Sequence, residues 1–338
     1  MDRKLASIQR IVAKRPIEGA DNIEVVQVLG WECVTQKSNN LQVGDLVVYF
    51  EVDSVLPQTP QFEFLADRNY RIKTIRLRGQ VSQGLILPLD DIKPEGFTHS
   101  KDFFTEGLDV TELLGVKKYE IPIAAEMEGQ IEGAFPGWIS KTDETRIQSS
   151  PKLLNEITGL AAYATQKDDG TSATYGRDVD GKLIVASRNL SLKPTNNIYW
   201  RMAEKYNLAK HLEFLGNVSA LQGEIVGPGI QGNKLGLKEH ELHIFTVTAR
   251  DNPNLSFLDY RRASQIAANG LQFVDVLWET DNFQYTLAEL LELAKGKYAS
   301  GQHREGIVIR PKVPLYSKIL NGTLSFKVLN NDYLLKEK

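Results

Sequence analysis

Short runs of alternating apolar and polar residues fill the first third of the chain. They are residues 6–12, 23–29, 47–52, 71–78 and 84–88, with Gly, Asn and Asp between them. Such alternation is typical of strands with one buried face, and the intervening residues favour turns. The pattern predicts a small closed β-barrel that extends to about residue 114.

The periodicity becomes mixed after about residue 136. Buried strands are predicted at residues 160–164, 172–176, 183–186, 220–226, 242–247 and 307–309. Helical spacing predicts helices at residues 151–157, 197–214, 258–268 and 287–298. We therefore expect an α+β domain over residues 136–338, with antiparallel sheets that line a cleft and helices that flank them. Residues 121–135 have irregular polarity and are expected to link this domain to residues 1–120.

Composition limits the class of protein. The chain has 338 residues, a formal net charge of −3 and one cysteine, Cys33. A single cysteine excludes an internal disulfide and a cysteine-based zinc site. Residues 1–20 lack a signal-peptide core, and no apolar run approaches the length of a membrane span. We expect a soluble intracellular protein, cytoplasmic or in another compartment such as the nucleus or an organelle, with no membrane association and no obligate protein partner.

A local basic run could bind nucleic acid where the overall charge does not. Residues 68–78 contain four candidate phosphate contacts around Tyr70, namely Arg71, Lys73, Arg76 and Arg78. Basic residues interleaved with an aromatic suit a phosphate backbone and a stacked base. An ordinary solvated strand face is the alternative, because on one regular strand Arg71 and Lys73 would face away from Arg76 and Arg78.

The most informative stretch is Lys167-Asp168-Asp169-Gly170, between two predicted strands. It would hold a lysine amine at the mouth of a strand pair, two residues from a carboxylate. A lysine is a nucleophile only when neutral, so we expect its surroundings to lower its pKa. Taken alone, this short motif is more often a solvated turn.

Further segments follow this motif in a fixed order: residues 187–188, 223–229, 244–247, 304–310 and 325–328. Together they resemble the motif series of the covalent nucleotidyltransferase superfamily, which contains ligases and capping enzymes. The resemblance covers about residues 140–330. It implies that Lys167 forms a covalent bond to a nucleoside monophosphate.

The resemblance also implies roles for other residues. Asp169, Glu224 and Glu305 would serve Mg²⁺ or Mn²⁺, mainly through metal-bound water, because Mg²⁺ usually keeps several waters. Lys327 would contact the α-phosphate and lower the pKa of Lys167. The remaining ATP contacts would be Gln166 and Phe245 at the adenine, Arg188 at the ribose or α-phosphate, and Arg146 at the outgoing phosphates.

One position departs from the family pattern. The last motif commonly carries a second lysine two positions before Lys327, and this chain has Ser325 there. Either Lys318 or Lys312 replaces it, or the contact is missing.

Two other local patterns resemble ligand-binding motifs. His240 and His243 have metal-like spacing, but on an alternating strand they point to opposite faces. Residues 227–233 are rich in glycine, yet no Gly-Lys-Ser/Thr follows them. We expect this segment to be an irregular loop that closes the cleft.

The order of the two predicted domains indicates a subgroup of this superfamily. Only residues 328–338 follow Lys327, and the barrel-like part lies upstream of the motifs, as in RNA ligases with an N-terminal OB domain. We therefore expect an ATP-dependent RNA ligase that joins 3′-OH and 5′-phosphate ends through lysyl-AMP and AMP-capped RNA. The expected substrate is a nicked RNA duplex or an RNA/DNA hybrid. The alternatives are a capping-type or DNA-joining nucleotidyltransferase, and a nucleic-acid-binding relative that no longer turns over.

Overall fold

The computed structural model describes residues 3–92, 103–120, 129–214, 218–249 and 270–335. The chain divides into two compact units. The N-terminal unit comprises residues 1–122, 148–151 and 335–338, and the C-terminal unit comprises residues 123–147 and 152–334. The predicted helix at residues 258–268 lies outside the described residues, as does most of the predicted linker.

The N-terminal unit is built on a curled antiparallel sheet of five strands, in the order β3-β2-β1-β4-β8. Its strands and those of two small pairs, β5–β9 and β6–β7, are β1 (Ala6–Pro16), β2 (Ile23–Val28), β3 (Trp31–Gln36), β4 (Leu46–Phe50), β5 (Ser54–Val55), β6 (Thr74–Leu77), β7 (Gln80–Gln83), β8 (Leu85–Pro88) and β9 (Lys117–Lys118). Strand β1 is long enough to pair with both β2 and β4, and a register shift between Ile11 and Ala13 interrupts its ladder with β2. The sheet curls into a half-barrel, which agrees with the OB-type fold that the resemblance implies, whereas the alternating pattern by itself predicted a small closed barrel.

Strand β4 is apolar throughout because both of its faces are buried. Val48 and Phe50 pack in one core cluster, while Val47 and Tyr49 pack in a second one with Trp31. Burial of each large apolar side chain contributes about 1.5–3 kcal/mol relative to exposure. The sheet is therefore fixed from two sides.

The basic segment differs from the strand predicted over residues 71–78. Strand β6 covers only Thr74–Leu77, and Arg78 and Gly79 form the turn to β7 with φ values of 49° and 82°. Two successive positive φ angles match the twist of a two-residue hairpin. Arg71 and Lys73 precede the strand, so the predicted division of the four basic residues between two strand faces is wrong.

The C-terminal unit contains two large sheets. Its strands are β10 (Ile131–Ala134), β11 (Thr145–Arg146), β12 (Ala162–Lys167), β13 (Thr171–Arg177), β14 (Leu183–Ala186), β15 (Leu190–Leu192), β16 (Val218–Val226), β17 (Glu241–Ala249), β18 (Gln272–Phe273), β19 (Val276–Thr280), β20 (Gly306–Pro311), β21 (Tyr316–Ser317), β22 (Gly322–Thr323) and β23 (Phe326–Leu329). The seven-stranded sheet has the order β10-β15-β14-β13-β16-β17-β18, and the five-stranded sheet has the order β11-β23-β20-β12-β19. Strand pairs are antiparallel except β11–β23 and β17–β18.

Helices cover the outer faces of these sheets. They are α1 (Leu153–Ile157), α2 (Ile198–Lys205), α3 (Leu208–Phe214), α4 (Leu287–Ala294) and α5 (Asn331–Leu334). The single helix predicted over residues 197–214 is wrong, because Asn207 adopts a left-handed φ of 47° and separates α2 from α3. Helix α4 begins at a capping box, in which the Thr286 side chain accepts from the Glu289 amide and the Glu289 side chain accepts in return.

Apolar side chains of α2 and α3 pack on the seven-stranded sheet, and those of α1 and α4 pack on the five-stranded sheet. Strand β12 belongs to the five-stranded sheet and β13 to the seven-stranded sheet, so residues 168–170 form the corner between the two. A Cβ at Gly170 would lie 2.3 Å from the carbonyl oxygen of Ile225 on β16. Only glycine lets the corner pack this closely against the strand that carries Glu224.

Candidate active site

Lys167 is the last residue of β12 and lies beside the start of β20. Its Nζ donates a hydrogen bond to Oε2 of Glu305 at 2.6 Å, and the two side chains are 24% and 17% exposed. The register pairs Lys167 with Gly306. A Cβ at Gly306 would lie 2.2 Å from the carbonyl oxygen of Val328, and its φ is +156°. The glycine therefore allows β23 to approach the site.

Tyr298 holds the ends of these two strands together. Its hydroxyl donates to the carbonyl oxygen of Lys167 at 2.8 Å and accepts from the backbone N–H of Glu305 at 3.1 Å. The residue is 4% exposed. One buried hydroxyl thus fixes the backbone of the lysine relative to that of its carboxylate partner, a contact that the sequence did not indicate.

Three acidic side chains act on the lysine amine. Burial lowers the pKa of Lys167, but the charges of Glu305, Glu224 and Asp169 outweigh burial and raise this pKa above its usual range. The expectation that the protein itself lowers the pKa of Lys167 is therefore wrong. The amine is protonated in the protein alone because three acidic groups surround it.

Glu224 is one of these acidic groups. Burial is the main cause that raises its pKa to about 8; the positive charge of Lys167 acts in the opposite direction, and Glu305, Asp168 and Asp169 act in the same direction as burial. The group therefore holds its proton at neutral pH in the absence of an added cation. Within the described ranges, no three His, Cys, Asp or Glu side chains lie close enough together to hold a metal ion directly. Metal binding through water by Asp169, Glu224 and Glu305 stays a prediction.

Two further cations, Arg146 and Lys327, lie near the amine. Strand β11 runs parallel to β23 and pairs Arg146 with Lys327. Burial, and then the charges of Arg146 and Lys167, lower the pKa of Lys327 to about 7, against the opposite effect of Asp143 and Glu305. Two half-buried cations on neighbouring strands disfavour one another in the free protein, whereas an anion between them would favour both.

The corner residue Asp168 is buried in a polar chain. Its Oδ2 accepts from Nδ1 of His243 at 2.6 Å, and Nε2 of His243 contacts Oε2 of Glu241 at 3.1 Å. Oδ1 of Asp168 accepts from the amide of Gln166 at 2.8 Å. Burial lowers the pKa of His243, but Asp168 and Glu241 outweigh burial and raise it. His240 contacts the carbonyl oxygen of Pro228 instead, so the two histidines serve different partners.

Two further predicted ATP contacts are placed differently. Nη2 of Arg188 donates to Oδ2 of Asp143 at 2.7 Å, and both side chains are about half exposed. Phe245 is partly exposed on β17 and lies outside the apolar core that its neighbours Ile244 and Val247 enter. The side chain of Phe245 is therefore available to a ligand, although an aromatic in an apolar strand is usually a core residue.

A lysine that the sequence did not single out also reaches the site. Nζ of Lys234, in the loop between β16 and β17, lies 2.6 Å from Oδ2 of Asp169 in an ion pair without hydrogen-bond geometry. The same amine donates to the hydroxyl of Tyr333 at 3.1 Å. The only available signal was its place in the glycine-rich loop after the Glu224 strand.

Neither lysine considered as a substitute at Ser325 points to this site. Lys312 pairs with Asp281 at 3.0 Å and with Glu279 at 3.1 Å, and Lys318 is exposed. Ser325 itself is 3% exposed, and its hydroxyl has no hydrogen-bond partner among the described residues.

The four basic residues of the N-terminal unit have different surroundings. Arg71 donates to Oδ1 of Asp53 at 2.7 Å and lies 3.6 Å above the ring of Tyr119. Arg76 and Arg78 are exposed, and Lys73 is partly exposed. Arg71 therefore has an evident packing role, whereas Arg76 and Arg78 at the β6–β7 hairpin are open to solvent.

Comparison with known proteins agrees with this arrangement of strands and side chains. A family model described as an OB-fold domain matches residues 5–89, and one described as RNA ligase matches residues 161–329. The structure of Naegleria gruberi RNA ligase with PPi is 34% identical, with 99% of each chain covered and a TM-score of 0.86. The chain belongs to the RNA ligase family.

Two further structures of Naegleria gruberi RNA ligase support the assignment. A mutant with ATP and Mn and a mutant with AMP and Mn are each 35% identical to this ligase, with 99% of each chain covered and TM-scores of 0.85 and 0.86. No curated protein sequence matches the chain significantly. In the part of the ligase that the structure describes, none of the helices has the length and apolar character needed to cross a membrane. The predicted family, fold class and enzyme class are confirmed.

Proposed function

We propose that this RNA ligase joins a 3′-OH to a 5′-phosphate through a lysyl-AMP intermediate, using ATP and Mg²⁺ or Mn²⁺. The observation that carries the proposal is the surroundings of the Lys167 amine, which donates a hydrogen bond to Glu305 at 2.6 Å and is also acted on by the charges of Glu224 and Asp169. The same amine acts on the pKa of Lys327, so this second lysine lies nearby. The Naegleria gruberi relatives with ATP and Mn, with AMP and Mn, and with PPi support the choice of nucleotide.

In the first step the nitrogen of Lys167 forms a bond to the α-phosphorus of ATP, and the bond from this phosphorus to pyrophosphate breaks. The amine must lose its proton, and Glu305 already accepts its hydrogen bond at 2.6 Å. Phosphoryl transfer depends mainly on positioning and on neutralising charge at the phosphate oxygens. Lys327 would serve the α-phosphate and Arg146 the outgoing phosphates.

The acidic side chains suit a hydrated divalent cation. Glu224 is an acid whose pKa is raised to about 8 by burial and by neighbouring carboxylates, and such a group gains most from added positive charge. Asp169 is 9% exposed. When bound, the cation would supply positive charge that offsets these carboxylates and favours the neutral form of Lys167. Asp169, Glu224 and Glu305 would hold it mainly through its waters.

The nucleoside would be held by residues at the rim of the site. Phe245 offers a partly exposed ring for stacking on adenine, and Gln166 lies one residue before the nucleophile with its amide bonded to Asp168. Arg188 would exchange its surface ion pair with Asp143 for the ribose or the α-phosphate. An exposed ion pair of this kind is worth about 0–1 kcal/mol, so it presents little barrier to the exchange.

In the later steps AMP would pass to the 5′-phosphate of RNA, and the 3′-OH would displace AMP. We assign the nucleotide chemistry to residues 136–338, and nucleic-acid binding to residues 1–120 with Arg76, Arg78 and Lys73 at its basic hairpin. Arg71 is the weakest member of this predicted set because it is paired with Asp53 and packed on Tyr119. A nick in an RNA duplex or RNA/DNA hybrid is the proposed substrate.

The test of the function uses ATP and GTP labelled at the α-phosphate. Wild-type protein should form a covalent adduct with ATP and not with GTP, and Lys167→Met should form none. Lys210→Met, an exposed lysine on α3, is the matched control. An adduct on the Lys167→Met protein would contradict the nucleophile, and equal labelling by GTP would contradict the choice of nucleotide. Sealing should fail when the nick carries a 3′-phosphate in place of the 3′-OH or a 5′-OH in place of the 5′-phosphate.

A further inference from the structure

Lys234 enters the active site from a loop and contacts the carboxylate of the nucleophile motif. Its amine lies 2.6 Å from Oδ2 of Asp169, and the two side chains are 30% and 9% exposed. Lys167 neutralises Glu305 in the same way, also at 2.6 Å. In the protein alone, two lysines therefore compensate two of the carboxylates that are proposed to serve the metal.

The loop holds the lysine in place independently of Asp169. Oδ1 of Asn233 accepts from the Leu237 amide at 3.0 Å, and its Nδ2 donates to the Leu237 carbonyl at 2.9 Å. The Ser300 hydroxyl donates to the carbonyl oxygen of Lys234. The amine itself contacts the Tyr333 hydroxyl at 3.1 Å and lies 4.1 Å from the centre of its ring. Tyr333 would keep the ammonium near the site if Asp169 turned to another partner.

Asp169 cannot fully serve both a metal-bound water and Lys234, because each needs the negative charge of the same carboxylate. A divalent cation would therefore leave the ammonium of Lys234 short of an anionic partner. The nucleotide brings such partners, since its β- and γ-phosphates carry most of its charge.

We propose that Lys234 is a phosphate-binding residue of this ligase, which exchanges Asp169 for an oxygen of the β- or γ-phosphate of ATP. This inference rests on the proposed use of ATP and assigns a residue to the leaving group. The exchange replaces one ion pair by another and forms no covalent bond. An ammonium on a loop can follow the pyrophosphate as it departs, which the strand residues Arg146 and Lys327 cannot do as freely.

The first test is equilibrium binding of ATP and of AMP to Lys167→Met protein, which cannot be adenylylated. Adding Lys234→Ala should weaken ATP binding by about tenfold or more, as expected for one lost charge-assisted contact. AMP lacks the β- and γ-phosphates, so its affinity should change by less than about twofold. Lys234→Arg should restore ATP binding, and Lys238→Ala, an exposed lysine in the same loop, should leave it unchanged.

The second test compares the steps of the reaction. In a protein with Lys167 intact, Lys234→Ala should raise KM for ATP in adenylylation and KM for pyrophosphate in the reverse reaction. Sealing of an RNA strand that already carries AMP needs neither ligand and should keep its rate. This second measurement separates the phosphates of ATP from those of RNA.

Three results would overturn the inference. One is an unchanged ATP affinity, and another is an equal loss for ATP and AMP. The third is slower sealing of pre-adenylylated RNA by the same factor as adenylylation, because Lys234 would then act only through Asp169. These results differ from failure of the proposed function itself, in which Lys167→Met protein would bind neither ATP nor AMP.

Discussion

The buried chain Asp168–His243–Glu241 gives the sharpest test of how the nucleophile corner is held. We consider replacement of His243, whose side chain is 8% exposed while that of Asp168 is 1% exposed. Among the residues that the structure describes, His243→Ala leaves the Asp168 side chain with the hydrogen bond from Gln166 alone. The change therefore strands a buried carboxylate next to Lys167.

The magnitude follows from this burial. Breaking a buried charge pair by removing one partner costs about 3–5 kcal/mol, because an uncompensated charge remains. His243→Gln can restore one neutral hydrogen bond to Asp168, worth about 0.5–1.5 kcal/mol. We expect His243→Gln to be less destabilising than His243→Ala by about that amount. Both variants should adenylylate more slowly, since Asp168 adjoins the nucleophile.

The pH dependence carries the sign of the interaction. The pKa of His243 is raised in the folded protein, so the contribution of its charge is fully present below its unfolded pKa of about 6.5. This contribution is lost as the pH rises through the folded pKa. His243→Gln should therefore cost more stability at pH 6 than at pH 9.5.

The assay is chemical denaturation of metal-free protein across this pH range, with adenylylation measured alongside. His211→Gln, a histidine on α3, is the control and should track the wild type at every pH. A loss in His243→Gln that is independent of pH would show that the imidazole acts only as a neutral donor. No loss in His243→Ala would refute the reasoning altogether.

Three other predictions concern the hydrogen bonds of Tyr298, the protonation of Glu224 and the basic residues of the β6–β7 hairpin. Tyr298→Phe leaves two buried backbone groups without their shared partner, so it should destabilise the protein by about 1–3 kcal/mol. It should also slow single-turnover adenylylation with little change in KM for ATP. An unaltered rate would contradict a role of Tyr298 in positioning Lys167. For Glu224→Gln in protein treated with EDTA, the free energy of unfolding should rise relative to that of the wild type by roughly 1–3 kcal/mol between pH 5 and pH 8. The reason is that the folded wild type keeps a proton on Glu224 that the unfolded chain has released. If the free energy of unfolding had the same pH dependence in both proteins, this prediction would be wrong. Because Glu224 is partly exposed, we expect a difference near the lower end of this range. Arg76→Glu with Arg78→Glu should weaken binding of nicked RNA and reduce its log–log salt slope by about two, whereas an unchanged slope would mean that the hairpin is only a solvated surface.

Much of the fold was predictable because strand alternation and motif order are local features. The strands before and after the Lys167 motif, the strand that carries Glu224 and the strand that begins directly after Glu305 follow from short apolar runs with polar ends. The helix over residues 197–214 was not divided correctly, because Asn207 takes a left-handed conformation that helical periodicity does not reveal. Strand β3 was missed because the polar residue Thr35 is buried and the apolar residue Val34 is only half-buried, so polarity does not follow the alternating burial of the strand.

The residues that support the site were harder to predict because their partners are distant in sequence. Tyr298 and Lys167 are 131 positions apart, and His243 and Asp168 are 75 positions apart. The spacing of His240 and His243 is typical of metal ligands, but an alternating strand disfavours a shared metal. This spacing gives no information about the carboxylate partner of His243. Lys234 had no motif of its own. Each of these contacts depends on the pairing of β12, β16, β17 and β20, which local periodicity does not specify.

Protonation is the property that the motifs describe least well. Lys167 and Lys327 are both partly buried lysines at one site, yet the pKa of the first is raised and that of the second is lowered to about 7. At the first amine the charges of carboxylates outweigh burial, whereas at the second amine burial and the charges of Arg146 and Lys167 prevail. The protein alone therefore holds the proposed nucleophile protonated beside a proposed phosphate ligand that loses its proton readily, the reverse of what attack on ATP requires. Positive charge at the carboxylates and negative charge at the cations would correct both at once, so we expect the site to become reactive only when cation and nucleotide are bound together.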